Sequence, residues 1–194
     1  MSANRFPDET FDSKLHKSVS EKRRIATRAR QLVHDGDSIS LGSGTTVYAL
    51  SNLLDDMVAA TIYTNSMQAA DFLARCASLD VHICGGIIRS STGTIIGNEA
   101  FNFFNGICVD CAFISCDAID DSGEVYSDNI AVAAVESAVL KNAKRKYVFC
   151  DSSKLGKRSI AHIINLRECD ALITGTSDSS VAEKLSYSIN VDYV

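Results

Sequence analysis

Three short turns rich in small polar residues could bind a ligand in this chain. They are Gly42-Ser43-Gly44-Thr45-Thr46, Thr64-Asn65-Ser66 and Asp151-Ser152-Ser153-Lys154. Each turn follows a short apolar run that is typical of a β-strand. In an open α/β sheet, ligands bind beyond the carboxyl ends of the strands. The sequence therefore indicates that edge of a sheet as the place for a ligand.

The turn at 42–46 makes the clearest case, and the ligand it fits is an anion. Glycines let the backbone approach an anion closely, and the start of a helix offers unpaired N–H groups. The hydroxyls of Ser43, Thr45 and Thr46 add donors. A dinucleotide-binding fingerprint is excluded because its third glycine would fall at Val47, and no G-x-x-x-x-G-K-[ST] P-loop occurs. Turns of this kind also simply cap helices, so phosphate binding and capping both remain open.

Each of the other polar groups also has both a functional and a structural interpretation. Lys154 could supply positive charge to the same phosphate or be a solvated lysine, and the turn at 64–66 could be no more than a helix N-cap. Asp117, Asp120 and Asp121 group three carboxylates after a strand. Such carboxylates could do acid–base work on a sugar, or belong to a polar loop leading to Gly123.

Composition and cysteine usage restrict the class of protein. The net charge of −5 makes the chain itself a poor candidate for binding the phosphate backbone of a nucleic acid. An odd count of seven cysteines and a polar start without an apolar signal segment favour reduced thiols in a cytoplasm. Cys108 and Cys111 have zinc-ligand spacing, but no second Cys/His pair accompanies them and residues 108–116 resemble a buried strand. We expect no metal, no cofactor and no membrane span.

The elements that must position these groups alternate along the chain. Strands are predicted at 38–41, 60–63, 81–84, 109–115, 147–150 and 171–174, and helices at 47–55, 67–76, 100–104, 129–142 and 180–187. This alternation predicts an α/β fold: a Rossmann-like, mostly parallel sheet with helices on both faces. Residues 1–17, which are polar and hold the only proline, are predicted to be a linker or N-terminal arm, and 18–194 one domain. Ser18 to Glu21 has the form of a capping box that would start the first long helix.

An ordered set of motifs resembles the effector domain of DeoR-family transcription regulators over about residues 18–194. The motifs are Glu21-Lys-Arg-Arg-Ile-Ala26, Asp35-Gly-Asp-Ser-Ile39, Ser43-Gly-Thr-Thr46, Thr64-Asn-Ser66, Gly85-Gly86, Asp110-Cys-Ala-Phe113, Gly123 and Asp151-Ser-Ser-Lys154. The resemblance implies a fold similar to ribose-5-phosphate isomerase and glucosamine-6-phosphate deaminase. It also implies an effector site made of Ser43, Gly44, Thr45, Thr46, Thr64, Asn65, Ser66, Gly85, Gly86 and Lys154, with Asp117 and Asp120 near the sugar hydroxyls.

The same resemblance implies a function. It points to a repressor domain that senses a phosphorylated sugar or related metabolite, forms a homo-oligomer and is not an enzyme. DNA would be contacted only through a winged helix-turn-helix, which the 17 polar residues before the first long helix cannot supply. The chain departs from the family pattern in three places. Ser115-Cys116-Asp117-Ala118 stands before Ile119-Asp120, where the family commonly has small residues such as Gly-Ala and a Gly directly before Ile. Gly42 stands where the family often has Asp, and the apolar stretch 131–135 followed by Glu136 replaces a Glu and a basic pair. These departures leave open an unusual or lost ligand.

Two other functions stay open on the residues alone. An aldose–ketose phosphate isomerase of this fold uses a carboxylate base and a lysine-bearing Gly-rich segment. The only Gly-Gly here, Gly85-Gly86, follows Cys84 and has no lysine beside it, so an enediolate would lack an obvious electrophile. A purely structural or oligomeric module with a vestigial pocket is the other alternative.

Overall fold

A computed structural model describes residues 9–175, 180–186 and 188–194 of the chain. Its helices are α1 (Phe11–Leu15), α2 (Val19–Arg30), α3 (Thr45–Ser51), α4 (Met67–Leu73), α5 (Asn98–Asn105), α6 (Ile130–Lys141) and α7 (Ser180–Ser186). Its strands are β1 (Ser38–Leu41), β2 (Thr61–Thr64), β3 (Asp80–Ile83), β4 (Ile87–Arg89), β5 (Thr94–Ile96), β6 (Val109–Ser115), β7 (Ala118–Ile119), β8 (Glu124–Ser127), β9 (Ala143–Cys150), β10 (Ala161–Asn165), β11 (Ala171–Thr174) and β12 (Val191–Tyr193). Residue 187, the last of the predicted final helix, lies outside the described residues.

The central sheet confirms the predicted α/β class. Seven strands lie in the order β12-β11-β9-β6-β1-β2-β3, and every neighbouring pair is parallel. Two small antiparallel sheets, β10-β8-β7 and the β4–β5 hairpin, accompany it and were not predicted. Their strands are two to five residues long, and all except β7 are partly exposed. They therefore lack the continuous apolar runs from which the central strands were predicted.

Burial on both faces explains the apolar runs of the inner strands of the sheet, of which β6 is the example. Along β6, Ala112 and Ile114 join the core formed with α5 and α6, whereas Cys111 and Phe113 join the core beneath α2 and α3. Successive side chains of a strand point to opposite faces, so one strand feeds both cores. The Phe113 ring stacks on Tyr147 of β9 at a centroid distance of 5.0 Å. Covering both faces leaves the ends of the strands as the open region of the sheet.

The described part of the N-terminal segment, residues 9–17, contains a short helix. Residues Phe11–Leu15 form α1, whose first turn is capped by the Thr10 hydroxyl accepting the Ser13 N–H at 3.2 Å. The predicted capping box at the start of α2 is wrong. Ser18 is left-handed, at φ 50°, with no side-chain cap bond. Glu21 turns instead to the loop after β9, where its Oε1 accepts the Ser152 N–H at 2.7 Å.

The order of the strands places a crevice beside β1. This strand pairs with β2 on one side and with β6 on the other, so the chain leaves it in one direction through α3 and returns from the other side. Such a switch in strand order opens a gap between the loops at the carboxyl ends of the two strands. The loop after β1 carries Ser43 and Gly44, and the loop after β6 carries Cys116 and Asp117. The polar turns of the sequence thus converge where a ligand is expected.

Candidate functional site

A polar cavity lies in the crevice between β1 and β6. Its inner part has a volume of about 60 Å³ and opens next to a wider cleft of about 360 Å³, with which it shares Lys14, Thr45, Asp117, Asp128 and Lys154. The inner wall consists of Phe11, Lys14, Ser43, Gly44, Thr45, Arg89, Thr92, Thr94, Ser115, Cys116, Asp117, Ser127, Asp128, Val132, Glu136, Lys154 and Ile163. The combined space suits a small polar metabolite.

The turn after β1 is held close to the end of β6. The Ser115 hydroxyl donates to the Ser43 carbonyl at 2.9 Å, and the Gly42 N–H donates to the Phe113 carbonyl at 2.9 Å. Gly44 has φ 105°, and a Cβ there would lie 2.2 Å from the Ser115 Oγ. Only glycine fits this position, because both the backbone angle and the space exclude a side chain. Thr45 then opens α3 directly at the cavity.

Glu136 of α6 closes the inner end of the cavity. It is 1% exposed, and its Oε1 accepts both the N–H and the hydroxyl of Ser43, each at 2.8 Å. Asn65 Nδ2 donates to the same oxygen at 3.4 Å. Burial raises the pKa of Glu136 to about 7, although the bonds from Ser43 pull in the other direction. A carboxyl group in the interior therefore occupies the N–H and the hydroxyl of Ser43, the first residue of the turn that lines the cavity.

A lysine and an aspartate face each other across the mouth of the cavity. Lys154 Nζ donates to the Cys116 carbonyl at 2.7 Å and lies 3.6 Å from Asp151 Oδ2. Asp117 accepts hydrogen bonds from the Ser127 hydroxyl at 3.1 Å and from the Asp128 N–H at 3.0 Å. Burial alone would raise the pKa of Asp117, but the lysines beside it lower that pKa to about 2. Asp117 is thus a fixed anion within reach of fixed cations.

Helix α1 lies across this mouth. Lys14 Nζ donates to Asp117 Oδ1 at 2.9 Å, and the Phe11 ring packs edge-on against Tyr48 of α3 with centroids 5.5 Å apart. The Phe11 N–H donates to the Ser91 carbonyl of the loop between β4 and β5 at 2.9 Å. The five-residue helix α1 is therefore held by contacts with Asp117, with α3 and with the loop between β4 and β5.

The structure brings five of the twelve sequence-predicted residues to the wall: Ser43, Gly44, Thr45, Asp117 and Lys154. Thr46, Thr64, Asn65 and Ser66 are buried behind it, at 0–2% exposure. Asn65 supports Glu136 from there, and the Ser66 hydroxyl caps α4 by accepting the Ala69 N–H at 3.3 Å. The capping interpretation of this turn is therefore confirmed.

The remaining predicted residues lie elsewhere. Gly85 and Gly86 are exposed after the edge strand β3, and neither lines the cavity. Gly86 starts the β4–β5 hairpin at φ 140°, where a Cβ would lie 2.5 Å from the Ile96 carbonyl oxygen. Asp120 belongs to a tight turn: it accepts the Ser122 N–H at 2.9 Å and Arg158 Nε at 2.8 Å. Its carboxylate is thereby committed to the turn and lies outside the wall.

Several wall residues carried no turn signal in the sequence. Lys14 lies in the segment predicted to be an arm, and Arg89, Thr92 and Thr94 come from the hairpin that was not predicted. Glu136 had a detectable signal, because an acidic residue interrupts the apolar face of a helix at 133, 136 and 140. A lone carboxylate on the buried face of a helix is rare unless it is paired.

Comparisons with known proteins identify the family of this chain. The family model of the DeoR C-terminal sensor domain matches residues 17–176. The chain belongs to the DeoR sensor-domain family. This sensor domain is also 30% identical over 192 residues to a lactose phosphotransferase system repressor from Staphylococcus epidermidis, with 98% of this chain and 76% of the relative covered. The resemblance to the DeoR family that was inferred from the motifs is thereby confirmed.

Solved structures confirm the fold of the sensor domain. A D-ribose-5-phosphate isomerase in complex with phospho-erythronic acid aligns with a TM-score of 0.52 and 19% identity, over 71% of this chain and 54% of that one. The delta subunit of eIF2B from Chaetomium thermophilum aligns with a TM-score of 0.59 and 13% identity, over 81% of this chain and 56% of that one. At such identities the likeness concerns the fold alone.

Two other kinds of feature are absent from the described residues. Within the described part of the chain, no helix has the length and apolar character needed to cross a bilayer. Nor do the described residues include three or more His, Cys, Asp or Glu side chains grouped to hold a metal ion. All seven cysteines are free thiols, and burial raises the pKa of Cys111 to about 12.

Proposed function

We propose that this sensor domain binds a phosphorylated sugar in the crevice between β1 and β6, and that binding controls an attached helix-turn-helix. The observation that carries the proposal is the pair of lysines, Lys14 and Lys154, facing the Ser43–Thr45 turn at the mouth of the cavity. Cations beside backbone donors and hydroxyls form the environment in which a phosphate is stabilised. The relative named a lactose phosphotransferase system repressor agrees with a sugar-derived effector.

Helix α1 supplies the route by which binding would reach the rest of a regulator. A phosphate at the mouth competes with Asp117 for Lys14, since both anions seek the same ammonium group. Losing or gaining that ion pair changes how firmly α1 is held against α3 and the hairpin. In this family the DNA-binding module precedes the sensor domain, so α1 lies on the side of the chain that leads to it. A ligand that prefers one position of α1 would shift DNA affinity by linkage.

The test is a titration of the chain with sugar phosphates and with inorganic phosphate, followed by calorimetry and thermal unfolding. A phosphorylated sugar at 100 times its Kd adds about 2.7 kcal/mol to the free energy of unfolding. Lys154→Met is expected to weaken binding by about tenfold or more, because it removes a charged donor to the phosphate. Lys144→Met is the matched control, since Lys144 is 77% exposed and pairs with Asp110 at the opposite end of β9. A folded chain that binds none of the probes would refute the proposal.

We infer a sensor without catalytic activity. A relative that matches over 98% of this chain is named a repressor, and the two carboxylates that the sequence offered as an acid–base pair have separate partners here. Asp117 is ion-paired with Lys14, and Asp120 is bonded within its own turn. Incubation with ribose 5-phosphate is therefore expected to give no ribulose 5-phosphate. Turnover that disappears in Asp117→Asn would establish an isomerase instead.

The partners follow from the same proposal. DNA is contacted through the helix-turn-helix, in the cytoplasm, and the sensor domain mediates homo-oligomer formation. Exposed Ile83, Ile87 and Ile88, at 45–65% exposure beside the edge strand β3, support a self-association surface. Light scattering after size exclusion is expected to give a mass above 20.9 kDa. A monomer at high micromolar concentration would contradict the oligomer.

A further inference from the structure

The inner end of the cavity contains an acceptor that the fold does not use. Of the two oxygens of Glu136, Oε1 takes the hydrogen bonds from Ser43 and Asn65, whereas Oε2 is buried without a partner. A buried acceptor that remains unpaired loses its hydrogen bonds to water on folding and gains no hydrogen bond within the protein. Such atoms are few in native proteins and call for an explanation.

Supporting the turn does not explain this oxygen. Oε1 alone holds Ser43, so a side chain with one acceptor would keep the turn in place. The second oxygen also restricts the residue before Ser43 in the turn. A Cβ on Gly42 would lie 2.0 Å from Oε2 and 2.9 Å from Cδ of Glu136. Two of the departures from the family pattern, the glycine at 42 and the stretch that ends in Glu136, are therefore linked: the glycine makes room for the carboxylate.

The two ends of the cavity carry different groups. Lys14 and Lys154 stand at the mouth with Asp117 and Asp128, where the cavity meets the wider cleft, whereas Glu136 and Arg89 line the inner wall and do not line that cleft. An anionic group of a ligand is stabilised beside the two lysines. A hydrogen-bond donor of the ligand finds the complementary partner at Glu136. A ligand that fills the site is thus anionic at one end and rich in hydroxyl or ammonium donors at the other.

We propose that Glu136 determines the specificity of this site by accepting a hydrogen bond from a hydroxyl or ammonium group of the effector. The inference rests on the proposed function, because it takes the phosphate to be held at the mouth. It names the second half of the ligand: a sugar or amino sugar whose donor reaches the inner wall. A deoxy analogue leaves Oε2 unpaired, and a free phosphate ion does not reach it.

The experiment compares matched ligands on matched variants of the 194-residue chain. The probes are inorganic phosphate, glucose 6-phosphate, its 2-deoxy, 3-deoxy and 4-deoxy analogues, glucosamine 6-phosphate, and ribose 5-phosphate with 2-deoxyribose 5-phosphate. Kd values are measured by calorimetry for the wild type and for Glu136→Gln. The glutamine keeps an acceptor for Ser43 but places an NH₂ donor where Oε2 was, so the polarity changes at one atom. Glu124→Gln, which lies outside the cavity beside His162, is the control with the same chemical change.

We expect the wild type to bind at least one hydroxylated or amino member more tightly than its deoxy partner by about tenfold or more. In Glu136→Gln that ratio falls to about threefold or less, while the Kd of inorganic phosphate stays within about threefold. Glu124→Gln keeps the wild-type ratio. Phosphates that bind with no preference in the wild type, or a ratio that survives in a folded Glu136→Gln, would overturn the inference and leave the proposed function intact. Failure of every probe to bind overturns both.

Discussion

The buried carboxyl group of Glu136 should make the stability of this domain depend on pH. Its pKa rises from an ordinary 4.5 to about 7 in the folded chain because burial disfavours the charged form. The folded state therefore holds a proton that the unfolded state releases between these two values. Stability then falls as the pH rises, since the free energy of unfolding decreases wherever the unfolded state binds fewer protons.

The size of the effect follows from the shift. A pKa that rises from 4.5 to about 7 corresponds to about 3 kcal/mol, because each pKa unit is worth about 1.4 kcal/mol. Most of this stabilisation, about 2–3 kcal/mol, is lost between pH 5 and pH 8. Asp117, with its lowered pKa, contributes stability that is complete above its ordinary value of 3.8, and Cys84, with a pKa near 11, responds only above 9. The window from pH 5 to pH 8 therefore isolates Glu136 from both.

The assay is urea unfolding at intervals from pH 5 to pH 8, followed by circular dichroism because the chain has no tryptophan. Glu136→Gln does not titrate, so its free energy of unfolding should lack this part of the slope. Asp128 also has a raised pKa, but it remains in the variant and cancels in the difference. A wild-type stability that is flat within about 0.5 kcal/mol, or an unchanged slope in Glu136→Gln at equal m-value, would refute the reasoning.

Three further substitutions test other parts of the structure. Gly42→Ala is expected to destabilise the domain by about 2 kcal/mol in urea unfolding, because its Cβ meets Glu136 Oε2; combining it with Glu136→Ser should recover about half, and a purely additive double variant would contradict the contact. Asp120→Asn should cost about 1–2 kcal/mol through its turn while leaving the Kd of any bound sugar phosphate unchanged, and a large loss of affinity would return Asp120 to the site. Phe11→Ala should speed hydrogen exchange in residues 10–15 with a global change of about 1 kcal/mol or less, because it removes the ring contact with Tyr48; unchanged exchange would show that this contact does not hold α1.

The chemistry of the turns allowed part of the site to be predicted from the sequence. The residues Ser43, Gly44 and Lys154 follow strands whose apolar runs are unmistakable, and parallel strands bring such turns to one edge whatever the details of packing. The strand bounds of β1, β6 and β11 were predicted to the residue for the same reason. Local signals of this kind do not depend on knowing which strand lies beside which.

The rest of the site depends on tertiary contacts that no local sequence pattern encodes. Asp117 and Asp120 stand three residues apart, yet one faces the cavity and the other is bound within a turn, because the chain bends back through β7 and β8. Lys14 reaches Asp117 across 103 residues of sequence. The carboxylate of Glu136 meets Gly42 only because α6 packs beneath the end of β1. Each of these depends on the strand order, which the sequence alone left undetermined.

The position of β1 between β2 and β6 also governs how the domain can be made. During synthesis β1, β2 and β3 emerge together, but Ile39 of β1 pairs with Cys111 of β6, 72 residues further along the chain. Until that strand leaves the ribosome, β1 presents a bare apolar edge, which is a surface that other nascent chains can join. Contacts of such long sequence separation also slow folding. The strand beside the candidate site is thus left unpaired along one edge while the second half of the domain is still being translated.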